Sequence, residues 1–254
     1  MTLTLSEMNP TGRFSDRSED YVRFRPSYPA AAIDHVLSGL PPARRLKVAD
    51  IGAGTGISAR LLADRGCRVR AIEPNAVMRA AAEPHSLVDW QDGTAEATGL
   101  ENGAVDLVQC AQAFHWFREE EALREFRRIL KPQGRLVLMW NSRNVHDPLT
   151  AEYSRAMLDV AGEVAADGTM KAGAGSSQTA WFSEFELREF DNAQKLTRDG
   201  LIGRAMSASY VPRTGPLQEK LITRLEKLHD QHANPDGLVR LRYVTRVYTA
   251  SSHR

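Results

Sequence analysis

Apolar and polar positions along the chain follow two rhythms, and each change of rhythm marks an element. Residues 46–51 form a short apolar run that ends in a glycine turn, the pattern of a strand buried on both faces. Over 55–65 the period becomes helical, with Ile57, Leu61 and Leu62 on one face and Gly66 as a stop. Residues 68–73 predict a second strand, in which Val69 and Ala71 alternate with arginines ahead of Ile72. A helix over 75–82 follows, capped by Asn75, then strands over 86–91 and 104–110. The strongest helical signal is 119–130, where Leu123, Phe126, Ile129 and Leu130 recur at helical spacing. Its first turn is acidic (Glu119, Glu120, Glu121) and its end basic (Arg127, Arg128, Lys131), which suits the helix dipole. Pro132 and Gly134 end it, and 135–140 predicts a fifth strand.

Strands alternating with helices imply an α/β fold: a Rossmann-like, doubly wound sheet of about seven strands, mostly parallel with the last antiparallel. Helices should cover both faces, with a small late helical and loop insertion. Beyond Trp140 the rhythm loosens. Residues 161–180, rich in Ala, Gly, Ser and Thr, read as a flexible loop or lid; 184–190 and 240–249 read as strands and 217–229 as a helix. Residues 1–40, with Phe14, Tyr21, Arg25 and the Pro26-Ser-Tyr-Pro29 break, read as an N-terminal arm and lid ahead of one domain over 41–254.

Composition narrows the function more than the fold. In 254 residues, 42% are hydrophobic and 26% charged, ordinary for a globular chain, and the net charge of +1 offers no basic face for nucleic acid. No apolar run reaches the ~18 residues of a membrane span, and the first residues lack a secretory pattern, so a soluble, cytoplasmic protein is expected. Cys67 and Cys110 fit no metal or redox spacing and read as buried free thiols. His229 and His232 share a helix end without two further ligands, so no metal is expected.

The chemistry begins at Asp50-Ile-Gly-Ala-Gly-Thr-Gly56, between a strand and a helix. Gly52, Ala53 and Gly54 let backbone approach a ligand closely. A dinucleotide loop is usually G-x-G-x-x-G; here the spacing is G-x-G-x-G, and Asp50 would repel a pyrophosphate but can order an ammonium group. That points to a cofactor containing an amino acid. Glu73 ends the second strand about 20 residues later, where an acid pairs with ribose hydroxyls.

Together with Ala71-Ile-Glu-Pro-Asn75, Asp92-Gly-Thr-Ala-Glu96 and Val105-Asp-Leu-Val-Gln-Cys-Ala-Gln112, this loop resembles class I S-adenosylmethionine-dependent methyltransferases, specifically the small-molecule enzymes of the methyltransferase type 11 group. The resemblance runs over about residues 14–145. Phe24-Arg-Pro-Ser-Tyr-Pro29, Ala113-Phe-His-Trp-Phe117, Trp140-Asn-Ser-Arg143 and Ser207-Ala-Ser-Tyr-Val-Pro212 look like a subgroup that includes trans-aconitate-type enzymes.

The resemblance implies S-adenosyl-L-methionine as cofactor, S-adenosyl-L-homocysteine as product, and no metal. Asp50 would anchor the methionine ammonium, Glu73 the ribose hydroxyls, and Pro74 and Asn75 would pack near the adenine. Relatives carry Gly-Asp-Ala where this chain has Gly93-Thr-Ala95, so Thr94 and Ala95 are the register matches at the adenine. Ala111 and Gln112 would lie along the methionine, and Tyr21 would close over the cofactor. The acceptor, expected to be a small molecule, would meet Tyr28, Trp116, Trp140, Arg143, Arg204 and Tyr210, the last two within an insertion spanning about 145–235. An arginine pair would suit a carboxylate. His115 is the candidate base, with packing beside Trp116 or binding of an acceptor carboxylate as the alternatives. No nucleic-acid or membrane partner is expected, and the chain reads as a monomer or homodimer. Two alternatives stand beside it: an NAD(P)-dependent oxidoreductase, against which the glycine spacing and Asp50 count, and a non-catalytic binder of the cofactor, which the same residues would serve equally.

Overall fold

The computed structural model describes residues 23–161, 181–208 and 210–253. Seven strands form one sheet in the order β3-β2-β1-β4-β5-β7-β6. They are β1 (Lys47–Ile51), β2 (Arg68–Ile72), β3 (Val88–Gln91), β4 (Val105–Ala111), β5 (Leu130–Arg143), β6 (Glu186–Leu196) and β7 (Val239–Ser251). The first five pair in parallel, and β7 runs antiparallel to both β5 and β6. The expected sheet is thus the observed one, antiparallel last strand included.

Helices cover both faces because strand alternation makes both faces apolar. On one side α1 (Ala30–Leu37) and α2 (Ile57–Ala63) pack Ile33, Val36, Ala59 and Leu62 onto Val48, Val69, Leu107 and Val137. On the other, α4 (Glu119–Ile129) lays Leu123, Phe126 and Ile129 onto Ile51, Val108, Leu136 and Leu138. Short α3 (Ala76–Ala80) follows β2. A third core, built by α5 (Pro148–Ala161), α6 (Arg198–Met206) and α7 (Pro216–His232), gathers Tyr153, Leu201, Leu225, Leu241 and Tyr243 at the end of β6 and the start of β7. Cys67 and Cys110 are buried free thiols, as expected.

Several boundaries differ from the sequence reading, each for a physical reason. Helix α1 lies inside the span read as an arm: Pro29 sits at its N-cap, where a missing N–H does no harm, and Ala32, Ile33 and Val36 are fully buried. Strand β5 extends to Arg143 because β7 pairs with it as far as Arg143↔Tyr243, which holds Asn141 and Ser142 in extended backbone. Strand β6 runs to Leu196 and pairs with β7 throughout, yet as the edge strand it is polar and left little apolar signal. The span 145–235 therefore contains a strand of the main sheet as well as helices. Tyr21 and the proposed lid over 162–180 lie outside the described residues. No described helix is long and apolar enough to cross a membrane.

Candidate active site

From β1 the chain moves outward to β2 and β3, while β4 lies on β1's other side. The order reverses between β1 and β4, and an open α/β sheet binds ligands at the carboxyl ends of the strands flanking such a point. The glycine loop leaves β1 there. Gly52, Gly54 and Gly56 all have positive φ (65°, 59° and 78°). A Cβ on Gly52 would stand 2.7 Å from the Ala113 Cβ and 3.0 Å from the Phe117 ring, so only glycine lets the loop lie against the segment after β4.

Two acids hold this loop. Glu73 is buried; its Oε2 accepts from the Gly54 amide at 2.9 Å and its Oε1 from the Asn75 amide at 2.9 Å. Burial raises its pKa, and those amides oppose the rise. Each carboxylate oxygen still has a lone pair for a ligand hydroxyl. Asp50 is completely buried; Ser58 donates to its Oδ2 at 2.6 Å while its Oδ1 has no hydrogen-bond partner. Burial pushes its pKa up to about 7, against the Ser58 hydrogen bond. The facing residue on β4, Gln109, is fully buried; its amide and the Ala59 N–H lie near enough to the Asp50 carboxyl to oppose the rise, but neither completes a hydrogen bond to Oδ1. A buried acid with one idle oxygen is costly for the protein alone and suits a cationic ligand.

The remaining cofactor candidates fall into distinct roles. Asn75 is the cap of α3, its Oδ1 accepting from Val77 and Met78, so its side chain is committed to the helix. Ala95 packs its methyl into the core and offers a ligand only backbone, whereas Thr94 is exposed, its Oγ1 accepting from Ala97. Asp92 forms an ion pair with Arg79, which also donates to the Glu73 carbonyl. Gln112, just past β4, holds a left-handed φ of 57°, a strained conformation kept by its amide donating to the Met139 carbonyl at 2.9 Å. Arg25, Pro26 and Tyr28 line a cleft together with Gly52, Ala53, Ala111 and Gln112.

The acceptor candidates do not share one surface. Successive residues of β5 face opposite sides, so Trp140 and Arg143 cannot both line one pocket. Trp140 is 2% exposed and packs into the core beneath α4. Its indole donates to His115 Nδ1 at 3.4 Å. An indole can only donate, so the neutral His115 ring carries its proton on Nε2. Burial, with Arg25 nearby, lowers the His115 pKa to about 4. In that tautomer the neutral ring offers its Nε2–H as a donor. Trp116 packs against it at 5.0 Å. Arg143, Arg204 and Tyr210 gather around Tyr153 and Tyr243, on the other face from Trp140.

Sequence reasoning missed Ser58, Asn141 and Asn192. Asn141 Nδ2 and Asn192 Nδ2 both donate to the Ser27 carbonyl, at 3.2 and 2.8 Å, tying residues 24–28 over the cleft. The signal available was Asn141 itself, a polar residue directly after the apolar run 136–140.

The sheet order and the acid-flanked glycine loop at its switch point define a nucleoside-binding α/β enzyme fold. Comparison with known proteins gives it a family. Residues 49–138 match the model of a methyltransferase domain. An uncharacterized methyltransferase of Mycobacterium tuberculosis is 33% identical over 251 residues, 96% of this chain and 97% of that one. Among solved structures, a chain described as a type II methyltransferase from Anaeromyxobacter dehalogenans superposes with a TM-score of 0.64 at 22% identity, covering 91% of this chain and 98% of its own. A phosphoethanolamine N-methyltransferase from Haemonchus contortus, solved with S-adenosylhomocysteine, has a TM-score of 0.58 at 15% identity, over 100% of this chain and 61% of that one. The chain belongs to the class I S-adenosylmethionine-dependent methyltransferases.

Proposed function

We propose that the protein moves a methyl group from S-adenosyl-L-methionine to a small-molecule acceptor at the carboxyl ends of β4 and β5, releasing S-adenosyl-L-homocysteine. The observation that carries this reading is the pair of buried acids at the switch point. Asp50 keeps an oxygen idle beside the loop, suited to an ammonium, and Glu73 braces the loop while retaining acceptor capacity for ribose hydroxyls. Gly52, Ala53 and Gly54 would pass backbone along the cofactor, Pro74 would pack near the adenine and Thr94 lie at its edge; Ala111 and Gln112 would flank the methionine.

The cofactor's sulfonium supplies the activation when it is bound. The protein's task is then to align the acceptor and exclude water. Residues 24–28 serve the second end, since Arg25 also donates to the Ser207 carbonyl and Gln194 to the Phe24 carbonyl, at 3.2 and 2.9 Å. A cleft roofed in this way suits a small acceptor better than a polymer. His115, neutral with its proton on Nε2, would orient an acceptor by donating a hydrogen bond, with Tyr28 on the roof beside it.

The test is transfer of label from methyl-labelled S-adenosylmethionine to a fractionated metabolite extract. Label should appear in a low-molecular-mass fraction and be lost in Glu73→Gln. Label found only in protein or nucleic acid would contradict the small-molecule assignment.

A further inference from the structure

The late helical module holds a second polar centre that cofactor binding does not use. Tyr153 on α5 is completely buried and its hydroxyl has no hydrogen-bond partner. Burial also raises its pKa, so the hydroxyl keeps its proton to donate. Beside it, Arg204 on α6 donates from Nε to the Tyr243 hydroxyl at 3.2 Å and from a terminal nitrogen to Ser207 Oγ at 3.5 Å. Both partners are neutral. Among the described residues no carboxylate pairs with Arg204, and the groups that act on its charge are Tyr243, Tyr153 and Tyr210.

A half-buried guanidinium with no carboxylate beside it and a buried idle hydroxyl are each costly to keep. Here they are neighbours contributed by two different helices. One occupant satisfies both: a group that brings negative charge and at least two acceptor oxygens.

The position fits an acceptor. Tyr243, which holds Arg204, is the register partner of Arg143. That pair lies two residues beyond the Asn141–Thr245 pair, and Gln112 Nε2 donates to the Asn141 carbonyl at 3.3 Å. Two strand residues span roughly 7 Å, the length of a small molecule. An acceptor anchored here by one end reaches back to Gln112 and the cofactor cleft with the other.

Building on the methyl-transfer reading, we propose that Arg204 and Tyr153 form an anion subsite that binds a carboxylate or phosphate group of the acceptor, each side chain donating to one of its oxygens. The acceptor is then an oxyanion-bearing metabolite, tethered at its charged end and methylated at the other.

The full-length chain can be titrated with acetate, malonate and inorganic phosphate against chloride at matched ionic strength. Unfolding midpoint and calorimetry provide the readouts, for wild type, Tyr153→Phe and Arg204→Gln. Wild type should show a saturable rise in midpoint with one of the oxyanions and none with chloride; whether a carboxylate or phosphate saturates first assigns the group. Both variants should lose anion affinity by about tenfold or more, the scale of a charge-assisted hydrogen bond. Tyr153→Phe should unfold no earlier than wild type, because its hydroxyl bonds to nothing in the protein. S-adenosylhomocysteine should bind all three chains alike. The proposal is overturned if no oxyanion gives a saturable response, if the response survives Tyr153→Phe, or if Tyr153→Phe lowers the midpoint. Should Arg204→Gln fail to fold, Tyr153→Phe decides alone. Wild type that binds the anions but not S-adenosylhomocysteine would count against the methyl-transfer reading instead.

Discussion

Asp50 sets stability against function within one side chain. Its ordinary pKa of 3.8 is raised to about 7 by burial, so the folded state holds its proton more tightly than the unfolded chain does. The sign follows directly: the stability this proton contributes is fully present below pH 3.8 and is lost as pH rises toward 7. Asp50→Asn, which cannot ionise, is expected to be more stable than wild type at pH 8, by on the order of 2–4 kcal/mol, and little changed at pH 4. The same variant should bind cofactor more weakly by about 1–3 kcal/mol, the worth of a charge-assisted hydrogen bond. Thermal unfolding at the two pH values, with calorimetry alongside, checks both halves; a lower midpoint at pH 8 would contradict this account of Asp50.

At this scale the sequence revealed residue types but not their commitments. Asp50 and Glu73 were legible because acids at a strand end beside a glycine loop have few structural uses. That Asn75 is spent on a helix cap, or that Trp140 points away from Arg143, depends on side-chain direction. His115 shows the gap best. Spacing placed it near the reaction face, while only the Trp140 indole beside it shows that its proton sits on Nε2.

Among the elements, the loop from β1 into α2 is the least tolerant of change. Gly52→Ala meets both a positive φ and the Ala113 methyl, and is expected to cost more than about 1 kcal/mol while abolishing measurable cofactor binding. Unfolding and calorimetry on the one variant measure both; a wild-type affinity would show that the loop does not approach the ligand. Buried strands and amphipathic α4 were legible because period and burial coincide in them. Helix α6 was not: it contains Gly200 and Gly203, poor helix formers in any sequence reading. Gly203 is there because a Cβ would stand 2.4 Å from the Phe24 ring. A contact between residues so far apart in sequence leaves no local pattern.

Over the whole molecule, two cores sandwich the sheet and a third stands at the end of β6 and start of β7, joined to the sheet by those strands and the strap over residues 24–28. Phe24→Ala should loosen that joint: hydrogen exchange in α6 is expected to quicken while α4 and β1 keep wild-type protection. Uniform quickening across the molecule would instead make all three cores one cooperative unit. Leu225→Ala, in the third core, should cost about 2–5 kcal/mol as a fully buried truncation.

The central claim is that the acids at the β1–β4 switch point select an S-adenosyl cofactor over a dinucleotide. Calorimetric titration of the chain with S-adenosylhomocysteine and, separately, NADH tests it most directly. S-adenosylhomocysteine should bind saturably, about tenfold or more weakly in Glu73→Gln, and NADH should give no saturable response. Tight NADH binding with no response to S-adenosylhomocysteine would contradict it.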